Sequence, residues 1–230
     1  MLEKILNGRI ELNENQLIKL RAYKKMLVER NKQIDLTNVK EEDMDALHFA
    51  DSLLPLENID IFKKNSSLID VGTGAGFPGL AIAIAREDMA VTLLDSLNKR
   101  CDFLRAVIEN IGLKNCRVVN GRAEDIARSE LREGFDIAVA RALAPLNVLI
   151  EYLMPFVKPS GIAVCWKGPN VFEELETAQN AAKLCSGEIE EIRTVAFENR
   201  NAYIVSILKT ANISDKYPRR AGIPSKRALR

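Results

Sequence analysis

The sequence predicts an α/β protein: one mostly parallel, seven-stranded sheet flanked by helices and preceded by a helical extension. Three observations carry this expectation. From Ser67 onward, short β-branched and apolar runs alternate with stretches of helical periodicity, the pattern of a parallel sheet with crossover helices. Residues 68–79 read LIDVGTGAGFPG, which is a strand, a glycine-rich turn and the start of a helix. Before Ser67 the patterning is helical only.

In chain order, residues 14–32 place Leu17, Leu20, Tyr23, Leu27 and Val28 at helical spacing, with Asn13 as the cap. A second helix starts near Glu42, passes through Leu47 and Phe49 to Leu53, and ends before Pro55. These segments form an extension over residues 1–62, ahead of a core over 63–210 and a basic tail over 211–230. The strands expected are LIDV, VTLLD, CRVVN, FDIAVA, GIAVCWK, EIRTVAF and AYIVSILK. Helices are expected over 79–86, 99–110, 123–128, 145–156 and 172–184. Only a short ENRN turn separates the last two strands, so they pair antiparallel and reverse the sheet edge.

The glycine turn carries the chemistry. Gly72, Gly74 and Gly76 alternate, and Phe77, Pro78 and Gly79 follow. Glycine serves where the backbone takes positive φ or a ligand must approach it closely. Pro78 suits the first helical turn. Gly74, Gly76 and Gly79 also spell the dinucleotide fingerprint, with Asp95 ending the next strand. Asp70, just before the turn, argues for a different ligand. A pyrophosphate gains nothing from a neighbouring carboxylate, since both are anions. S-adenosylmethionine has no phosphate and carries an ammonium and a sulfonium, which suit a carboxylate. Asp95 can accept from a ribose in either case. The expected cofactor is S-adenosylmethionine.

Composition excludes several other classes. The chain has 230 residues and a net charge of +1, so total charge points to no partner. Its distribution does: from Lys209 onward seven Lys or Arg face one acid, Asp215. Cys101, Cys116, Cys165 and Cys185 lack C-x-x-C spacing and the chain has one His, so no metal is expected. Free thiols fit a reducing cytosol. The start MLEKILNGRI lacks a signal-type apolar stretch, and no apolar run approaches a membrane span. A soluble, cytoplasmic protein without membrane contact is expected.

Further motifs surround the turn. H-x-x-DSL occupies residues 48–53, D-x-G-T-G-x-G-x-PG residues 70–79, and LLDS-x-x-KR-x-x-FL residues 93–104. R-x-E follows at 122–124, RA at 141–142, and YPR-x-x-G-x-P-x-K at 217–226. With these motifs the chain resembles the bacterial 16S rRNA guanine-N(7)-methyltransferase G family, also called glucose-inhibited division protein B, over nearly its whole length. It departs at Asp35-Leu36-Thr37, where the family usually has Asn-Leu-Thr.

The resemblance implies a Rossmann-like class I S-adenosylmethionine-dependent methyltransferase acting on nitrogen 7 of a guanine, with 16S rRNA or the small ribosomal subunit as partner. By motif it implies cofactor contacts at Gly72, Phe77, Asp95, Ser96 and Leu97. It also implies Ala123 and Glu124 beside the adenine, and Arg141 near the methyl group as the catalytic position. The residues themselves add Asp70, Gly74 and Gly76 on the cofactor side. For RNA phosphates they add Lys167 at the end of the fifth strand and Arg219, Arg220, Lys226 and Arg227 in the tail. Guanine nitrogen 7 holds a free lone pair, so positioning rather than a general base is needed. His48, between Leu47 and Phe49, reads as a packed structural residue, and Cys165 as a buried thiol.

Two other classes compete: a small-molecule methyltransferase, and a non-catalytic RNA-binding assembly factor that keeps a nucleotide pocket. The basic tail and Lys167 weigh against the first, and the intact turn with Asp95 against the second. If the tail only contacts RNA, its removal after Asp215 weakens RNA binding and leaves cofactor affinity unchanged.

Overall fold

The computed structural model describes residues 1–198 and 200–230. The extension contains α1 (Leu2–Leu6) and α2 (Glu14–Asn31). It continues through a 3-10 turn (Glu41–Asp43), a π-helical turn (Asp45–Ala50), α3 (Asp51–Leu53) and a second 3-10 turn (Leu54–Glu57). The core runs β1 (Ser67–Val71), α4 (Gly79–Ala85), β2 (Ala90–Asp95), α5 (Asn98–Ile111), β3 (Cys116–Asn120), α6 (Ala123–Ile126) and β4 (Phe135–Arg141). It goes on through α7 (Leu146–Leu153), β5 (Val157–Lys167), α8 (Val171–Leu184), β6 (Gly187–Phe197) and β7 (Arg200–Lys209), and α9 (Ile223–Lys226) lies in the tail.

The seven strands form one sheet in the order β3-β2-β1-β4-β5-β7-β6. Every neighbour pair from β3 to β5 is parallel, and β7 runs antiparallel to both β5 and β6. The expected reversed edge hairpin is present; of its ENRN turn, Asn199 lies outside the described residues. Connections leave β1 and β4 in opposite directions along the sheet. The crevice outside the carboxyl ends of these two strands is the topological switch point where open α/β sheets bind ligands.

Each face of the sheet is covered, and alternation along β1 shows how. Leu68 packs with Leu80, Leu93 and Leu104 and with Tyr23, Leu27 and Phe49 of the extension. Ile69 and Val71 pack on the other face with Leu149 of α7 and Val171 and Ala182 of α8. The extension is therefore an outer layer of the core. Its α2 begins at a capping box: the Asn13 side chain accepts from Gln16 N (2.9 Å) and the Gln16 side chain accepts from Asn13 N (2.8 Å). Gln16 Nε2 also donates to Ala85 O (2.9 Å), tying α2 to the end of α4.

Two expectations change. The helix expected from Glu42 to Leu53 is interrupted by the π turn. The wider turn presents successive rings, His48 and Phe49, to the same Phe77 ring at centroid distances of 4.4 and 5.3 Å. The tail, expected only to contact RNA, is also packed into the fold, because Tyr217, Pro218, Pro224 and Leu229 are buried. Arg132 donates to the carbonyls of Ile213 (3.0 Å), Ser214 (3.2 Å) and Tyr217 (2.9 Å). The buried Asn147 amide donates to Leu229 O (2.7 Å).

Candidate cofactor site at the carboxyl ends of the strands

A cavity of about 320 Å³ opens at the carboxyl ends of β1 and β2, beside the first turn of α6 and under the loop after β4. Gly72, Asp95, Ser96, Leu97, Ala123 and Glu124, all expected from the sequence, line it. Arg100, Arg122, Leu143 and Tyr152 also line it and were not singled out for the cofactor. No local motif marks Tyr152 or Leu143. A larger recess of about 830 Å³ lies at the opposite ends of the strands, beside Asp136 and Lys158. It contains none of the residues singled out above, and the chemistry belongs to the smaller cavity.

The turn is held by side chains on either side of it. Asp95 is 4% exposed. Its Oδ2 accepts from Gly74 N and its Oδ1 from Leu97 N, each at 2.9 Å, and Arg100 Nη1 stands 3.6 Å away. A carboxylate has about four acceptor positions, so each oxygen keeps capacity for a ribose hydroxyl. Gly74 has φ +59°, and a Cβ there would meet no protein atom nearer than 3.9 Å. That open space at the turn is a cradle a side chain would fill. The donor set and the cradle fit a nucleoside held by its ribose.

Asp70 has a different place from the one its charge suggested. It is fully buried behind the turn and lines no part of the cavity. Its Oδ2 accepts from Thr73 Oγ1 (2.6 Å) and Gly79 N (2.7 Å), while Oδ1 has no partner among the described residues. Burial, opposed by these hydrogen bonds, pushes its pKa up to about 6. Asp70 braces the turn from behind; a counter-charge for the cofactor's cations would have to face the cavity.

Phe77 and Arg141 also stand behind the lining. Phe77 is stacked between His48 (4.4 Å) and Tyr23 (5.2 Å), with the Arg141 guanidinium 5.2 Å from its centroid. Arg141 Nη1 donates to Asp51 Oδ2 (2.7 Å) and Leu47 O (2.9 Å), and Nη2 lies 2.9 Å from His48 Nδ1. Arginine has no acceptor, so Nδ1 accepts and Nε2 carries the imidazole proton toward Thr37 Oγ1 at 2.7 Å. Burial, with the Arg141 charge adding to it, drives the His48 pKa down to about 3. His48 is a packed neutral imidazole. Arg141 joins the end of β4 to the extension, a tie across some 90 residues of sequence that no local pattern shows.

The five basic residues expected to face RNA divide. Lys167 is paired with Glu174 (2.8 Å) and donates to Ala144 O (3.2 Å); Glu174 also accepts from Leu146 N. The loop after β4 is thus pinned from the end of β5 and the first turn of α8. Arg219 pairs with the fully buried Glu151 at 2.6 Å. Arg220, Lys226 and Arg227 are exposed. The tail also reaches the cavity wall, where Gly222 N donates to Glu124 Oε1 (2.8 Å). Among the described residues no helix is long and apolar enough to cross a membrane.

This fold is that of Rossmann-like, S-adenosylmethionine-dependent methyltransferases. The chain is similar to a precorrin-6y C5,15-methyltransferase from Geobacter metallireducens, with TM-score 0.51 and 14% identity over 77% of this chain and 92% of the other. It is also similar to a variant of MtNAS in complex with S-adenosylmethionine, with TM-score 0.56 and 16% identity over 91% and 83% of the two chains. A family model for rRNA small subunit methyltransferase G matches residues 16–203. A ribosomal RNA small subunit methyltransferase G from Clostridium perfringens is 46% identical over 227 residues, 96% of this chain and 94% of that protein. The chain belongs to the GidB family of rRNA small subunit methyltransferases G. It is an rRNA methyltransferase that uses S-adenosylmethionine.

Proposed function

We propose that this enzyme methylates nitrogen 7 of one guanine in 16S rRNA, in the cytoplasm. One observation carries the choice of atom. Both carboxylates in the cavity wall are engaged by main-chain amides, Asp95 with Gly74 and Leu97 and Glu124 with Gly222. The single histidine is neutral, buried and turned to Thr37 and Arg141. Such a site is built for positioning: Asp95 holds the turn and keeps its remaining acceptor capacity for a ribose, Glu124 holds the tail, and neither is set as a proton acceptor. Nitrogen 7 of guanine needs none, because its lone pair is free at neutral pH.

When bound, S-adenosylmethionine supplies the methyl group. On this reading Asp95 accepts from the ribose hydroxyls, Ala123 and Glu124 border the adenine, and Gly72 makes room for Leu143 in the wall that meets the rest of the cofactor. Arg141 sets the end of β4, and with it the loop carrying Leu143, beside the reacting atoms. Arg220, Lys226 and Arg227 contact phosphates around the target. That guanine must be unpaired or splayed out, because nitrogen 7 in an A-form helix lies in a groove too narrow for side chains.

The test is to incubate the enzyme with 16S rRNA, free or in small subunits, and methyl-labelled S-adenosylmethionine. The product is then cleaved chemically at N7-methylguanine. Cleavage at one guanine is expected. Label on an exocyclic nitrogen, a ribose or another base would overturn the proposal.

A further inference from the structure

The helical extension supplies a hydroxyl to the cofactor turn. We propose that Tyr23 of α2 is a positioning residue for S-adenosylmethionine: its phenol holds the Ala75 carbonyl, and so sets the glycine-turn backbone that the cofactor meets. The inference rests on the cofactor site described above.

The geometry is direct. Tyr23 is fully buried, and its hydroxyl donates to Ala75 O at 2.6 Å. Its ring stacks on Phe77 (5.2 Å, 22°) and meets Phe49 edge-on (5.5 Å, 84°). Phenylalanine would fill this aromatic cage equally well. A hydroxyl placed there costs free energy unless it is hydrogen-bonded, and Ala75 O is its partner. The phenol's pKa is raised well above its ordinary value, chiefly by burial, so it remains a donor.

The next residue agrees. Gly76 has φ +110°, and a Cβ there would lie 2.5 Å from the Tyr23 hydroxyl oxygen. The sequence suggested that this glycine admits a ligand; in the structure it admits a tyrosine from the extension.

The remaining supports of the turn do not replace this bond. Leu94 O accepts from Gly72 N (2.8 Å) and Thr73 N (3.1 Å), Asp95 holds Gly74 N, and Asp70 holds Thr73 and Gly79. None of these reaches the Ala75 carbonyl. Without the phenol, that carbonyl faces an apolar cage and must turn toward water to regain a partner. That carbonyl belongs to the Ala75–Gly76 peptide, whose N–H donates to Thr73 O (2.9 Å), so loss of the phenol releases one of the two ends of this plane, next to the open space at Gly74.

The experiment uses the full chain with Tyr23→Phe, which keeps the ring, and Phe49→Leu, which loosens the same cage and keeps the hydrogen bond. S-adenosylmethionine binding is measured by calorimetry, stability by thermal unfolding, and turnover on 16S rRNA as kcat and KM. Tyr23→Phe should raise both Kd and KM for S-adenosylmethionine about five- to tenfold, the scale of one lost buried hydrogen bond. Its kcat at saturating cofactor should stay within about twofold, as expected when only cofactor binding is lost. Phe49→Leu should lower Tm without changing Kd.

Unchanged cofactor affinity in Tyr23→Phe overturns the proposal. So does an equal loss in Phe49→Leu, which would make the effect one of packing. In the wild type, S-adenosylmethionine should slow amide exchange in α2 around Tyr23 as well as in the turn. Absence of that protection counts against the proposal even if the variant fails to fold. A wild-type protein that binds no S-adenosylmethionine would instead overturn the cofactor site itself.

Discussion

His48 and Asp70 respond to acid in opposite directions. The folded state keeps His48 neutral down to about 3, against an ordinary value of 6.5. Between those values the unfolded chain takes up a proton that the folded one refuses, so this contribution to stability is lost as pH falls from 6.5 toward 3. Asp70 titrates near 6 when folded, against 3.8 ordinarily. There the folded state holds the extra proton, so stability is gained as pH falls from 6 toward 4. The slope of each is at most about 1.4 kcal/mol per pH unit within its window. The wild-type profile between about pH 4 and 6 should therefore be shallow. In urea titrations, His48→Asn should gain relative stability on acidification, and Asp70→Asn should lose stability more steeply than wild type. Parallel profiles for all three proteins would refute both assignments.

Asp95 is the other residue whose role divides. Its place in the cavity wall was legible because an acid ends the strand after a glycine turn, and that pattern makes it the candidate ribose partner. Its hold on Gly74 and Leu97 was not, since a backbone amide has no sequence signature. Asp95→Ala should therefore reduce cofactor affinity at least tenfold and also lower Tm. Each lost hydrogen bond to a charged group is worth about 1.5–3 kcal/mol. Calorimetry and thermal unfolding on one sample separate the two effects.

Among the elements, the strands were legible because a parallel sheet covered on both faces demands continuous apolar runs, and LIDV, VTLLD and FDIAVA are such runs. Helix α2 was legible from its apolar spacing and from Asn13. Asn13→Ala should cost about 1 kcal/mol in chemical denaturation, the usual worth of an N-cap. An unchanged midpoint would mean that the Gln16–Ala85 contact alone fixes the start of the helix. The π turn at Asp45–Ala50 was not legible, because periodicity is read against 3.6 residues per turn and a wider turn appears as an ordinary helix with a fault. Short α1 and α9 fall below the length at which a period can be read.

Across the whole molecule, the charge of the tail was plain in the sequence and its attachment was not. Its partners Arg132, Glu151 and Asn147 lie 68 to 85 residues away. The expectation that removal after Asp215 spares cofactor binding therefore reverses. Truncation there strips Arg219 from a carboxylate with no exposure to water and Gly222 from Glu124. Breaking a buried pair by removing one partner costs about 3–5 kcal/mol. The truncated protein should show a lower Tm and weakened S-adenosylmethionine binding. Alanine at Arg220, Lys226 and Arg227 together should leave both intact and reduce RNA affinity and its salt dependence, because fewer counterions are released per complex. A truncated protein with wild-type Tm would show that the strap is superficial.

The Gly222–Glu124 contact also orders events during synthesis. The glycine turn, Asp95 and Glu124 all emerge from the ribosome long before Gly222, which follows Glu124 by 98 residues. A nascent chain can form β1 and β2 with the turn between them, yet the Glu124 side of the cavity lacks this brace until Gly222 arrives and closes against α6. The cavity is thereby completed in sequence order, its floor first and this part of its wall 98 residues of synthesis later.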